Sequence, residues 1–459
     1  MTLQEYLHSL HGKRVAVVGI GVSNTPLIEA LLSSGNDVTA CDKRSRKDLG
    51  ELADHLESCG AKLRLGAEYL RDLDCDLVFR TPGIHPNNPE FRAAVGNAQV
   101  TSEMEAFFSL CPCRTIAITG SDGKTTTSSI IARLLEAQGF TVHLGGNIGK
   151  PLLTEIPHMR PDDFAVLELS SFQLHSMFCA PDVAVITNVS PNHLDVHPSY
   201  EDYIAAKKQI FLNQRPGSRL VLNQDNSITT DFAKEARGQV LFFSRRGSVA
   251  NGVFSKDGTL YAARDYEVEA ILPETEILLP GKHNVENYCA AFAATLGLVS
   301  TDVYRTVARN YKGVAHRLER VRVHKGVTYI NDSIASSPTR TIAGLRSFEK
   351  KPILIAGGYD KQIPFDELGD EIAQRVKALY LTGFTAEKIK AAVERSVYYD
   401  PMRLPITVMD DFRETILAAS AAAREGDTVL LSPACSSFDK FRNFAHRGDT
   451  FRQIVSELE

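Results

Sequence analysis

No Cys-x-x-Cys pair occurs among the eight cysteines of this 459-residue chain, and Cys111 and Cys113, flanking one proline, stand too close for an ordinary disulfide and unlike a zinc knuckle. Buried or free thiols in a reducing compartment are expected. No apolar run approaches the roughly 20 residues of a membrane span, and MTLQEYLHSLHGKR carries acidic and His residues where a secretory leader is apolar. A cytoplasmic protein is expected. Positive charge is not in excess either: 51 Lys and Arg face 56 Asp and Glu, a net charge of −5, which leaves no electrostatic footprint for nucleic acid. Phosphate-bearing ligands must therefore be met by local groups. Strand-to-glycine turns at Gly19, Gly120 and Gly357 are unequally spaced, which excludes a solenoid and fits three tandem α/β domains.

What is present is ordinary in bulk, with 43% hydrophobic and 23% charged residues, and long enough for about three domains of ~100–200 residues each. The informative stretch is TIAITGSDGKTTT, residues 115–127. A β-branched apolar run predicts a strand, Gly120 and Gly123 bracket a turn around Ser121 and Asp122, and a helix opens at Lys124 and runs through Leu135. Strand, loop and helix in that order make a phosphate cradle: backbone N–H groups and the helix N-terminus meet the anion, Lys124 reaches the outer phosphates, and the Thr125 hydroxyl helps hold Mg²⁺. The full Walker spacing has four residues between its glycines and this loop has two, so the shortened GxxGKTT form is the relevant one.

Upstream, RVAVVGIG predicts a strand and glycine turn, Pro26 to Ser34 a helix, and Val38 to Asp42 a second strand ending where a dinucleotide fold places its ribose carboxylate. Asn24 replaces the third glycine of that fingerprint, so nicotinamide binding is the weaker alternative. Leu77 to Phe79 runs into a Thr-Pro-Gly-Ile turn, and a helix is expected from Thr101 to Pro112. Downstream, Phe164 to Leu169 is a buried strand with Glu168 near its tip, a position suited to a metal ion. His193, Asp195 and His197 follow two apart. Pro191 and Pro198 argue for a loop there, and with no further His or Cys at ligand spacing one His is expected at the phosphate-metal site rather than a zinc centre. A helix from Tyr200 to Leu212 carries Lys207 and Lys208, adjacent lysines that ordinarily mark a solvated face. Asn284 and Asn287 share a helix face and offer amides suited to a purine edge.

GSDGKTT, GGNIG, ELSSFQL, NVSPNHLD, AAKKQIF, GKHNVEN, HRLE, NDSIASSP and SPACSSFD occur in the order and spacing of the Mur ligases, which the chain resembles throughout. The resemblance implies three α/β domains, residues 1–111 for a UDP substrate, 112–313 for ATP and 314–459 for the incoming amino acid. It also implies ATP-dependent amide ligation of D-glutamate to UDP-N-acetylmuramoyl-L-alanine, in a cytoplasmic monomer with two Mg²⁺ ions. By the same resemblance Val22, Ser23, Asn24, Asp42 and the turn Thr81, Pro82, Gly83 and Ile84 hold the uridine diphosphate, with Asn147 positioning the acceptor. Lys124 and Thr126 contact the ATP phosphates and Thr125 and Glu168 one Mg²⁺. His193 and a carbamylated Lys207 serve the other. Asn287 faces adenine, Arg317 the transferring phosphate and Asp332 the ribose. Lys361, Ser437, Phe438 and Phe444 match glutamate-binding positions. One departure stands out: Ile334 occupies a position where a lysine is expected after Asp-Ser, which leaves room for Arg340 in its place and for L-glutamate or another amino acid as the substrate.

Overall fold

The computed structural model describes all residues except 72, 193–196, 266, 280 and 361–362, so His193, Asp195 and Lys361 lie outside the described residues. The chain forms two units, Met1–Tyr311 and Lys312–Glu459. Both are α/β, and three sheets are distributed between them.

The first unit begins with a five-stranded parallel sheet in the order Lys62–Leu65, Asp37–Asp42, Arg14–Val18, Leu77–Arg80, Gln99–Thr101. Val15 to Val18 and Val78 to Phe79 are all within 1% of complete burial, the signature of parallel strands covered on both faces. The helix expected from Thr101 is shorter. Gln99–Thr101 forms an edge strand, and the helix runs Glu103–Leu110 because the Ser102 side chain accepts from Glu105 N and so caps its start.

A nine-stranded sheet follows, in the order Glu267–Pro273, Thr259–Arg264, Gly252–Lys256, Gln239–Ser244, Arg219–Asn223, Val183–Ile186, Arg114–Thr119, Phe164–Glu168, Val142–Gly146. Pairing is parallel from Gly252–Lys256 to Val142–Gly146, and the first three strands form an antiparallel edge. Arg114–Thr119 lies between Val183–Ile186 and Phe164–Glu168: the chain runs from it to one side, through Val142–Gly146 and Phe164–Glu168, and then crosses to the other at Val183–Ile186, so its carboxyl end is a switch point of the sheet. The helix Lys124–Gln138 buries Ile130, Ile131, Leu134 and Leu135 in one apolar cluster with the helix Lys282–Thr295, which pins the P-loop from behind. Another cluster runs from Leu3 and Leu27 to Leu152 and Leu174, joining the five-stranded sheet to the nine-stranded one within a single unit.

The second unit is a six-stranded sheet ordered Glu319–His324, Val327–Asn331, Thr428–Leu431, Ile353–Ala356, Ala378–Leu381, Ile406–Val408, parallel except for the first pair. Its own apolar clusters, around Leu354 and Leu381 on one face and Tyr329 and Phe451 on the other, make it self-sufficient in core.

Candidate active site

The P-loop adopts the geometry its glycines require. Gly120 has φ +150° and Gly123 φ +80°, a region that L side chains avoid. A Cβ at Gly120 would sit 1.9 Å from Thr187 Oγ1, and one at Gly123 would sit 2.3 Å from Asn287 Oδ1. Thr187 Oγ1 donates to Asp122 O at 2.5 Å, Asn188 Oδ1 accepts from Asp122 N at 3.0 Å, and Ser121 Oγ donates to Ser190 O and meets Tyr203 OH, each at 2.9 Å. The segment after Val183–Ile186 therefore moulds the loop. Lys124 Nζ folds back and donates to Gly120 O at 2.9 Å and Ser121 O at 3.0 Å. Thr125 is buried at 7% exposure and Thr126 is half-buried on the first helical turn. Asn287 accepts from Thr127 Oγ1 at 3.3 Å and donates to Asn284 Oδ1 at 3.2 Å. Its amide oxygen thus ties the helix Lys282–Thr295 to the helix that follows the P-loop, and its amide nitrogen is engaged one turn back on its own helix.

Glu168 pairs in register with Ile118, which brings its carboxylate to the same sheet edge as the P-loop. It is only 1% exposed; Oε1 accepts from Asn147 Nδ2 at 2.7 Å, while Oε2 is buried and has no hydrogen-bond partner among the described residues. A carboxylate oxygen buried without a donor is costly unless a cation meets it, so this donor set fits a hard divalent ion. Lys207 corrects the solvated-face expectation. It is 1% exposed, its Nζ donates to Gly120 O at 2.7 Å and stands 4.5 Å from the Tyr203 ring centroid. Burial first, and then the Lys124 charge, hold its pKa well below that of an ordinary lysine. Lys208, one residue on, is paired with Glu235 instead.

At the carboxyl edge of the five-stranded sheet, Val22 is 78% exposed and Ser23 is half-buried. Asn24 instead faces inward: at 5% exposure its Nδ2 donates to Gly19 O at 2.8 Å, which ties the turn from beneath. Asp42 is also committed. Its Oδ2 accepts from Ile20 N at 2.8 Å and both oxygens accept from the Arg44 guanidinium. Burial raises the Asp42 carboxyl, but the hydrogen bonds from Arg44 and Ile20 more than offset this and keep it below its ordinary value. Thr81 packs against Gly19, whose Cβ would meet it at 2.6 Å. Arg80, unremarked in the sequence, is 2% exposed and donates to Thr81 O at 3.2 Å, to Ile84 O and to Ser176 Oγ at 2.9 Å. Only its place at the end of a buried strand could have singled it out.

In the second unit Arg317 is exposed, and the residues on either side are held at positive φ, His316 at +63° and Leu318 at +42°. Non-glycine residues occupy that region only where their surroundings enforce it. Asp332 supplies part of that constraint: at 4% exposure its Oδ1 accepts from Leu318 N at 3.2 Å and its Oδ2 from Ser432 Oγ at 2.8 Å. Burial raises its carboxyl to about 6. Arg340 Nη1 donates to Ile334 O at 3.2 Å, which puts a guanidinium beside the position where lysine is missing. Ser437 is 2% exposed, whereas Phe438 is 66% and Phe444 38% exposed. Beneath their loop Arg447, absent from the sequence reading, donates to Ser333 O, Ser436 O and Cys435 O at 2.9–3.2 Å. Burial lowers its guanidinium to about 10. Its signal was a charge spaced with Phe451, Ile454 and Val455 on the buried face of the helix Phe444–Ser456.

A P-loop at a switch point of a parallel sheet, an orphaned metal-type carboxylate and a second α/β unit define a nucleotide-dependent enzyme. The Mur ligase middle domain profile matches residues 118–295 and the Mur ligase glutamate ligase domain profile residues 316–435. The chain belongs to the Mur ligase family, ATP-dependent ligases of peptidoglycan precursor synthesis. Particular relatives carry a more specific name. The UDP-N-acetylmuramoylalanine--D-glutamate ligase of Acetivibrio thermocellus is 50% identical, over 100% of this chain and 99% of that protein. The protein of the same name from Ruminiclostridium cellulolyticum is 47% identical over the same shares. Among solved structures, MurF of Acinetobacter baumannii aligns with TM-score 0.58 at 16% identity, covering 97% of this chain and 93% of that one. The UDP-N-acetylmuramate-alanine ligase of Thermotoga maritima aligns with TM-score 0.56 at 18% identity, covering 97% and 99%. These two likenesses speak for the three-sheet α/β fold.

Proposed function

We propose that the protein joins D-glutamate to UDP-N-acetylmuramoyl-L-alanine in the cytoplasm, with residues 1–111 holding the UDP substrate, 112–313 ATP and 314–459 the amino acid. The single observation that carries this reading is the convergence of Gly120, Lys124, Glu168 and Lys207 on one sheet edge. An acceptor carboxylate cannot lose oxide, so it must first be activated. Its oxygen attacks the γ-phosphorus, the bond to the β,γ-bridging oxygen breaks, and ADP leaves an acyl phosphate. The glutamate amine then attacks the acyl carbon, gives up a proton, and inorganic phosphate departs.

Two anions meet in the first step. Lys124 and the loop N–H groups offset their repulsion, and Arg317 is assigned to the transferring phosphate. Thr125, Glu168, His193 and a carbamylated Lys207 would hold Mg²⁺, which when bound supplies positive charge to the phosphate oxygens. A neutral, buried Lys207 Nζ is the form that adds carbon dioxide, with loss of one proton, to become an anionic ligand. Ser437, Phe438, Phe444 and Lys361 are assigned to glutamate, Asn287 and Asp332 to the nucleoside, and Arg340 to the carboxylate contact that Ile334 cannot make.

Phosphate release with UDP-N-acetylmuramoyl-L-alanine against D- and L-amino acids tests the reading. One phosphate per amide formed, with D-glutamate, is expected. Turnover with L-glutamate in preference would assign the Ile334 exchange to a changed specificity, and phosphate release without amide formation would overturn the ligase reading.

A further inference from the structure

Thr81–Ile84 is a tight turn closed by the bond from Ile84 N to Thr81 O at 3.2 Å. It is also held from inside by Arg80, the last residue of the strand Leu77–Arg80. Nη1 donates to Thr81 O at 3.2 Å and to Ile84 O, the carbonyls at the two ends of the turn. Nη2 serves a different element. It donates to Ser176 Oγ at 2.9 Å and lies 3.5 Å from Phe172 O, both in the segment that follows the strand Phe164–Glu168 of the nine-stranded sheet. One guanidinium therefore joins the turn to the segment beyond the metal-type carboxylate, within the first unit.

We propose that Arg80 is a positioning residue for the acceptor substrate: it locks the Thr81–Ile84 turn in its binding shape and fixes that turn against the Phe164–Glu168 end of the nine-stranded sheet, an inference that rests on the reading of this turn as part of the UDP-substrate site.

The placement is costly for the fold, which points to a use. Arg80 is 2% exposed, burial lowers its pKa with only the charge of Glu105 in opposition, and no carboxylate among the described residues lies within ion-pair distance of it. A buried cation without an ion pair is a poor source of stability. Packing alone would favour an apolar side chain here, as at Leu77, Val78 and Phe79 before it, all buried. The choice of arginine also fits a tie. Its planar fork presents donors along two edges, so it can bond the turn and Ser176 at once, whereas a lysine nitrogen is a single point. His85, next after the turn, does not replace it: its ring meets that of His175 edge-on, 4.3 Å between centroids, and its Nε2 has no hydrogen-bond partner among the described residues. With the end carbonyls of the turn taken by Arg80, the exposed Gly83 keeps an N–H that is unpartnered among the described residues and open to an oxygen of a bound substrate.

The test is steady-state phosphate release by the full chain, with acceptor, ATP and glutamate each varied in turn. Arg80→Met, an apolar chain of similar length, should raise the KM for UDP-N-acetylmuramoyl-L-alanine by at least about tenfold and leave those for ATP and glutamate within about twofold, and added methylguanidinium should return part of the loss. A side chain that only held the fold together would shift all three constants and gain nothing from methylguanidinium. Ser176→Ala, at the exposed far end of the tie, should raise the acceptor KM by about threefold with the same split, and it decides the matter if Arg80→Met does not fold. An acceptor KM unchanged in folded Arg80→Met, or in Ser176→Ala where Arg80→Met does not fold, or a rise shared by all three substrates, overturns the inference. Absence of acceptor-dependent phosphate release by the wild type would instead overturn the UDP-substrate reading, and this inference with it.

Discussion

A lysine held at 1% exposure beside a second cation is a poor place for positive charge, and Lys207 meets both conditions. Lys207→Ala should abolish ligation, and a small added carboxylate should restore part of it by standing in for the carbamate; phosphate release with and without acetate checks this. Absence of the added mass of a carbamate in a gentle intact-mass measurement would count against it. Lys124→Ala should lower turnover by at least about 10²-fold, roughly 2.7 kcal/mol of barrier, measured as ATP-dependent amide formation. At this scale the sequence was legible where chemistry is local. Lys124 and Thr125 follow their loop directly, and Glu168 ends its strand. It was least legible where burial decides the role. Lys207 and Lys208 look alike in the sequence, yet one is enclosed by Tyr203 and the P-loop and the other pairs with Glu235. Arg80 and Arg447 were passed over for the same reason, since a buried guanidinium gives no sign of itself until the carbonyls around it are known.

Among the elements, the P-loop is the most demanding. Gly123→Ala would put a side chain at φ +80° with its Cβ on Asn287 Oδ1, a backbone cost of roughly 1–2 kcal/mol before the clash. ATP affinity, measured by calorimetry, should fall while the far-ultraviolet dichroism stays unchanged. The helix Glu103–Leu110 contains a different kind of constraint. Glu103 is 6% exposed, its Oε1 accepts from Leu153 N at 3.0 Å, and burial raises its carboxyl to about 7. The folded state therefore holds this proton more tightly than the unfolded chain. Its contribution is full below pH 4.5 and is lost as the pH rises through 7. Denaturant unfolding of the wild type against Glu103→Gln should show the wild type losing up to about 3 kcal/mol relative to the variant over that window. The strand-loop-helix order of the P-loop could be read from thirteen residues. Its outer mould could not, because Thr187 and Asn287 reach it from 67 and 164 residues beyond Gly120 and Gly123 and carry no local mark of doing so.

At the scale of the whole molecule, the apolar clusters respect one boundary. Those around Leu27, Ile130, Phe91 and Val249 lie within Met1–Tyr311, and those around Leu354 and Tyr329 lie within Lys312–Glu459. A fragment of residues 1–311 should fold and bind ATP without making amide, and a fragment of residues 312–459 should melt cooperatively on its own; non-cooperative melting of the latter would contradict a self-sufficient core. Three α/β sheets were foreseeable from the strand-glycine turns. The shared core of the first two was not, since it is built from single leucines spread between Leu3 and Leu174.

The ammonium of Lys124 leans on the carbonyls of Gly120 and Ser121, and this has a consequence for selectivity. A visiting anion is offered no bare charge and gains only the margin by which its own oxygens outdo two peptide oxygens. Chloride or acetate has little margin to offer, whereas a triphosphate tail has a great deal, so the crowded salts of a cell would leave this latch closed until nucleotide arrives.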